Sequence, residues 1–291
     1  MNIETLSIVA GTEACNARCP YCISKMTPKQ GICTKEQKIN FRNLHKGALL
    51  AKEKGATTVI ITGKGEPVLF PEQITKYLDA LEGFNFPFIE LQTNGILLHE
   101  QKEKYMSYLY EWYDKGMTTI IISIAHYEAE KNRQILVPHK KQYIDLVELI
   151  DMLHEIGFSV RLACMMVKGY VDCKEEIEKL IKFSKENMVE QLSIRNISKP
   201  EKSINKEIYD WTINNSLSKE QLEEITNYIK EKGALLLEFN YGGSVYDVDG
   251  QNVCLTNCLT LSNNPNQIRQ LIFFPDGHLR YDWQYKGAIL L

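Results

Sequence analysis

With 34 basic against 37 acidic side chains in 291 residues, a formal charge of −3, the chain lacks the cationic excess of a nucleic-acid-binding surface. That does not exclude a nucleotide as substrate. Apolar residues at 44% and charged residues at 24% are the balance of an ordinary soluble globular protein.

Runs such as Met117–Ala125 are far too short to cross a bilayer, and Met1–Gly11 has no signal-peptide pattern, so a soluble, cytoplasmic protein with no membrane partner is expected. Eight cysteines in that compartment point to metal binding or catalysis before disulfides.

Short β-branched runs alternate with helical patterns along the chain, the mark of repeated βαβ units and a parallel sheet. The first strand is read at Leu6–Ala10. Phe41, Leu44, Ala48 and Ala51 then recur at helical spacing, with Gly55 as a stop. Strands follow at Thr57–Thr62, Phe88–Gln92 and Thr118–Ile124. Tyr143, Val147, Ile150 and Leu153 mark a helix that ends at Gly157, ahead of strands Ser159–Met166 and Gln191–Ile194. Apolar residues dominate most of these strands instead of alternating with polar ones, as in strands covered on both faces.

Lys199–Asn215 is a polar connection. Beyond it, Ser218 and Gln221 form a capping box before Leu222, Ile225 and Ile229, and Gly233 closes that helix. Leu235–Phe239 reads as a seventh strand and Tyr241-Gly242-Gly243 as a turn. Ile268–Phe274 and His278–Trp283 flank Pro275-Asp276-Gly277, a hairpin signal. The expected fold is α/β: a partial (β/α)6 TIM-like barrel over residues 1–198 with a C-terminal β-hairpin tail. Residues 199–291 form an extension whose helix, strand and hairpin close the barrel mouth.

The chemistry begins with Cys15, Cys19 and Cys22 in the run CNARCPYC, directly after the first strand. The C-x3-C-x2-C spacing sets three thiolates close enough to grip one inorganic centre, with no fourth ligand nearby. Clusters of the 4Fe–4S type normally take four cysteines, so three would leave one iron open. Structural zinc also wants four protein ligands. Thr62-Gly63-Lys64-Gly65-Glu66-Pro67 ends the second strand, where glycines let backbone approach a ligand closely. Gln92-Thr93-Asn94-Gly95 ends the third strand and Ser123 the fourth, with His126 three residues later. Arg161 lies early in the fifth strand, and Arg195 with Asn196 ends the sixth. Their common address, the C-terminal strand ends, is where α/β barrels put active sites.

Over roughly Ile3–Ile197 this series resembles the radical S-adenosylmethionine (SAM) superfamily, with Tyr21 before the last cysteine, a Gly-Gly-Glu-Pro-like element at Gly63–Pro67 and a Thr-Asn-Gly at Thr93–Gly95. The glycine element departs from the family pattern in having Lys64 between its glycines. The resemblance implies an enzyme with a 4Fe–4S cluster on Cys15, Cys19 and Cys22, its open iron chelated by SAM. Tyr21, Gly63, Gly65, Glu66, Asn94, Ser123, Arg161 and Arg195 would bind the cofactor. Reductive cleavage of SAM would give methionine and a 5′-deoxyadenosyl radical that abstracts a hydrogen atom from a small-molecule or peptide substrate. A flavodoxin or ferredoxin-type electron donor is implied as partner, and nucleic acid is not.

The alternatives are an activase that places a glycyl radical on a partner protein and a non-catalytic iron–sulfur sensor. His126, Cys254 and Cys258 are candidates for the substrate side, with a structural role open for His126 and a salt bridge open for each of Arg161 and Arg195. Cys254-x3-Cys258 with the later hairpin is similar to the auxiliary-cluster hairpins of molybdopterin-pathway and peptide-modifying members. Tyr281, Asp282 and Trp283 occupy the place of the further cysteine found there. Three readings of these two cysteines stay open: a second metal site completed by Cys33 or Asp282, a hydrogen-donating thiol, or packed residues of a hairpin lid. Tyr281, Trp283 and Tyr285 alternate by two, an aromatic face for core packing or for stacking a flat substrate.

Overall fold

The computed structural model of the chain describes residues 2–239, 242–256 and 267–291. Strands β1 (Asn2–Val9), β2 (Thr58–Thr62), β3 (Phe88–Thr93), β4 (Thr119–Ile124), β5 (Ser159–Met166) and β6 (Gln191–Asn196) lie side by side in chain order. Each pairs parallel with the next. The crossovers are helical: α1 (Ile23–Met26) and α2 (Phe41–Glu53), then α3 (Pro71–Leu81), then α4 (Ile96–Glu100) and α5 (Lys102–Asp114), then α6 (Ala129–Leu136) and α7 (Leu146–Ile156), then α8 (Lys174–Glu186). After β6 come α9 (Lys206–Asn215) and α10 (Lys219–Lys232), then β7 (Gly233–Glu238), β8 (Ser244–Val248), β9 (Gln251–Leu255), β10 (Gln267–Phe273) and β11 (Leu279–Arg280).

Local signals explain several boundaries. The Asp145 carboxylate accepts from the Val147 and Glu148 amides and starts α7, leaving Tyr143 outside the helix that its spacing had suggested. Gly157 ends α7 at φ +110°, in the left-handed region that favours glycine. The Ser218–Gln221 capping box forms in both directions at the start of α10.

The tail enters the sheet in an order the chain order does not announce. β9, a strand absent from the expectation, pairs parallel with β6, while the expected seventh strand, β7, lies beyond β8 at the far edge. At the other edge β10 runs parallel to β1 from Asn2↔Gln267 to Ile8↔Phe273. The parallel run is therefore β10-β1-β2-β3-β4-β5-β6-β9, with antiparallel strands outside it and, among the described residues, no pairing between the end strands β11 and β7. The sheet is an open, partial barrel.

The hairpin forms, but β11 is short and pairs only through Arg280 and Leu279. Its continuation is irregular: Trp283 packs on Phe274, while Tyr281 and Tyr285 stay exposed. The three aromatics do not form one face.

Leu6, Ile8, Val59, Ile61, Leu91, Ile120, Ile122, Val160, Leu162, Leu192 and Ile194 all join the core between sheet and helices. Strand side chains alternate between faces. The opposite, inner face therefore takes Ser7, Ile60, Glu90, Ser123, Arg161, Ala163, Ser193, Arg195 and Cys254. Polar and charged side chains stand on that face beside apolar Val9, Ile121 and Met165, a mixture that strands read as buried on both sides would not present.

Candidate active site

The cysteine loop leaves β1 over the ends of β2 and β3. The Ala10 amide donates to the Thr62 carbonyl at 2.7 Å and the Gly11 amide to Gln73 Oε1 at 2.6 Å. Gly11 sits at φ +73°, and a Cβ there would meet the Phe70 ring at 2.2 Å, so only glycine fits this turn. Further along, the Glu66 amide donates to the Ala14 carbonyl at 2.9 Å, and the Arg18 amide to the Leu136 carbonyl at 2.8 Å.

The glycines of the second motif also make close backbone contacts within the protein. A Cβ on Gly65 would lie 2.0 Å from Ala14 O, and one on Gly63 2.9 Å from Gly65 O. Gly65 admits the backbone of the cysteine loop, while Gly63 leaves room for the motif's own turn. Glu66 is also committed internally: its carboxylate accepts from the Val68 amide at 3.1 Å, Thr93 Oγ1 at 2.6 Å and the Asn94 amide at 2.9 Å. Burial raises its pKa despite these donors. The side chain is a strut between the ends of β2 and β3.

Cys15 is exposed, with Cys19 and Cys22 half-buried. Cys15 Sγ accepts from the Ala17 amide at 3.4 Å and lies 4.0 Å from Asn94 Nδ2, which also donates to Asn16 Oδ1 at 2.7 Å. Cys22 is the N-cap of α1, and its amide donates to the Cys19 carbonyl at 3.3 Å. Although the residue is exposed, desolvation by the loop packed around it pushes the Cys15 thiol up to about 11, partly offset by the Ala17 amide. Burial, then the neighbouring Cys22 and Cys15, drives the Cys19 thiol higher still.

Three thiols carried on one short loop are a donor set suited to a three-cysteine 4Fe–4S cluster. Among the described residues no three His, Cys, Asp or Glu side chains already stand close enough to hold a metal ion.

Tyr21 is buried in an apolar wall with Ala125, Ile135, Leu136, Val167 and Ile197, its ring 6.2 Å from that of Trp211. Two polar groups beside the cysteines escaped the sequence reading. The Tyr143 hydroxyl is buried near Cys19 with no acceptor. Lys64 is buried beside Cys22, and burial pushes its ammonium down to about 8 while Cys22 and Glu13 pull it back. Only the odd position of Lys64 between two glycines signalled the second; nothing signalled the first.

Other expected residues lie elsewhere. The Arg161 guanidinium bonds both oxygens of Glu90, at 2.9 and 2.7 Å, and Gln191 Oε1 at 2.5 Å. It sits in the first half of β5, away from the C-terminal strand ends, and the structure does not bring it to the cysteines. His126 is buried against α8: Nε2 meets Glu176 Oε2 at 3.1 Å, and Nδ1 accepts from the Glu128 amide at 2.9 Å. Its ring is occupied by structure, which argues against the substrate side.

Ser123, Ala163, Ser193 and Cys254 form one register row across β4, β5, β6 and β9. Arg195 lies two residues beyond Ser193, with its Nε buried and without an acceptor among the described residues. Burial raises the Cys254 thiol, opposed by Arg195, Arg161 and Arg269. Cys258 lies outside the described residues. Cys33 is exposed and accepts from Gln37, while Asp282 accepts from the Gln284 and Tyr285 amides. Neither joins a second metal-binding group among the described residues.

An open parallel barrel with a three-cysteine loop over its strand ends defines the class. The radical SAM superfamily model matches residues 9–184, more than half of the chain, and the chain belongs to that superfamily. It is an enzyme of this class, whose members use a 4Fe–4S cluster and SAM.

In sequence it is similar to the GTP 3′,8-cyclase of Aquifex aeolicus, 28% identical over 181 residues, covering 60% of this chain and 51% of the relative. The chain spans about half the length of the curated relatives it matches. In fold it is similar to the solved structure of anSMEcpe with bound AdoMet, at TM-score 0.63 and 15% identity, covering 100% of this chain and 74% of that one. Streptococcus suis SuiB bound to S-adenosylmethionine gives TM-score 0.61 and 17% identity over 96% of this chain and 60% of that one. Among the described residues no helix is long and apolar enough to cross a membrane.

Proposed function

We propose that this enzyme carries SAM on a 4Fe–4S cluster held by Cys15, Cys19 and Cys22 and removes a hydrogen atom from a small-molecule or peptide substrate. What the bound cluster supplies is the electron that splits SAM into methionine and the 5′-deoxyadenosyl radical that makes the abstraction. The observation that carries this reading is the docking of the three-cysteine loop, through Ala14, onto Gly65 and Glu66 at the strand ends.

The chain's own residues support it in distinct ways. Asn94 reaches from the end of β3 to Cys15 and Asn16, holding the loop over the barrel. Tyr21, Val167, Ile197 and Trp211 offer an apolar wall beside Cys19 for a flat adenosine. Arg195 supplies a cation whose buried Nε lacks an acceptor among the described residues, a match for the SAM carboxylate that Arg161, paired with Glu90, no longer offers. Barrel interiors are usually filled by bulky branched side chains, and the row of Ser123, Ala163, Ser193 and Cys254 leaves more room than that.

A precursor peptide bound to the neighbour SuiB and the cyclase likeness motivate the two substrate classes. The cytoplasm, with a flavodoxin or ferredoxin-type donor, is the setting this chemistry requires. No feature of the described residues favours the glycyl-radical activase over this reading. Anaerobically reconstituted protein supplied with dithionite and SAM is expected to release 5′-deoxyadenosine. Release that survives in Cys19→Ala would refute the assignment.

A further inference from the structure

Lys64 is 7% exposed and directly precedes Gly65, the glycine on which the cysteine loop docks. Its ammonium donates to Thr27 Oγ1 at 2.5 Å and to the Pro28 carbonyl at 3.2 Å. Both acceptors lie at the C-terminal end of α1, the single turn whose N-cap is Cys22. On its other side the ammonium lies 5.8 Å from the centre of the Trp283 ring, and the Trp283 indole is tied to Gln270 on β10. One side chain thus joins the loop after β2, the turn that carries Cys22 and the C-terminal tail.

No carboxylate forms an ion pair with Lys64 among the described ion pairs. The carboxylate that acts on it from nearby, Glu13, is already paired with Lys29 at 2.8 Å, and a buried ammonium with no anion of its own is costly. Where hydrogen bonds to a hydroxyl and a carbonyl are all that is needed, a neutral donor would serve. The missing negative charge is the kind that three thiolates and a cluster would bring to Cys22.

We propose that Lys64 is a positioning residue for the cluster: it pins the α1 turn that presents Cys22, and its positive charge favours the reduced, more negative form of the bound centre. This rests on Cys15, Cys19 and Cys22 being the cluster ligands. Reduction adds one negative charge to the centre, so a nearby cation shifts the equilibrium towards it and a neutral replacement shifts it back.

The test uses the full chain, reconstituted anaerobically, as wild type, Lys64→Met, Lys64→Gln and Lys64→Arg. Iron and sulfide per chain, the electron paramagnetic resonance of the reduced centre and its midpoint potential are measured, with circular dichroism of the apoproteins to check folding. Lys64→Gln keeps a donor for Thr27 while losing the charge. It is expected to retain iron with about a tenfold smaller equilibrium constant for one-electron reduction, a midpoint about 59 mV more negative. Lys64→Met is expected to lose iron as well, and Lys64→Arg to restore the wild-type midpoint. A loaded Lys64→Gln protein with the wild-type midpoint overturns the electrostatic assignment, and full iron retention in Lys64→Met overturns the pinning. A wild type that binds no iron–sulfur centre overturns instead the reading of the cysteines.

Discussion

Replacing Gly65 by alanine would put a methyl carbon 2.0 Å from the Ala14 carbonyl oxygen and 2.7 Å from the Ala14 and Glu13 carbonyl carbons. A contact of that kind is relieved only at about 3 Å or more, so one backbone must retreat by roughly 1 Å. Neither side is free to do so. The Glu66 amide is bonded to Ala14 O at 2.9 Å, and the Glu66 carboxylate holds Val68, Thr93 and Asn94.

Overpacking of this kind costs about 1–3 kcal/mol. Loss of the Glu66–Ala14 hydrogen bond adds about 1 kcal/mol. Gly65→Ala is therefore expected to lower the unfolding free energy of the apoprotein by about 2–4 kcal/mol in urea titrations, and to cut iron loading because the displaced segment carries Cys15. Gly83→Ala is the control, since a Cβ there meets nothing within 4 Å and its backbone is not left-handed. A Gly65→Ala protein within about 0.5 kcal/mol of wild type and with undiminished iron would show that the docking argument is wrong.

Two further outcomes probe residues that the tertiary structure reassigned. Arg161→Met leaves the buried Glu90 carboxylate without its guanidinium and is expected to cost about 3 kcal/mol by chemical denaturation, with SAM affinity of the loaded protein unchanged. A tenfold loss of SAM affinity with stability intact would return Arg161 to the cofactor. Burial, reinforced by Lys131, holds the His126 pKa below its ordinary 6.5, against the pull of Glu176. Below pH 6.5 the unfolded chain takes a proton at this site that the folded chain refuses, so stability falls with falling pH. Unfolding free energies measured from pH 7 to 5 should decline, with a shallower slope in His126→Asn; equal slopes would count against a neutral, structural histidine.

What the chain disclosed by itself was short-range. The C-x3-C-x2-C spacing, the apolar strand runs, the Asp-Gly hairpin signal and the Ser218–Gln221 capping box each depend on residues a few positions apart. Such patterns are written in local periodicity and turn chemistry.

The tertiary structure decided everything that needed a distant partner. β9 and not β7 lies beside β6, and β10 lies beside β1, because register partners more than fifty positions apart are not encoded in either strand alone. Arg161 met Glu90 across 71 positions and His126 met Glu176 across 50, which took both from the roles that their strand positions suggested. Gly65 is needed for the backbone of Ala14, a contact no glycine announces. A side chain's chemistry is legible in sequence, but whether that chemistry is still free depends on which neighbours folding brings within hydrogen-bond reach.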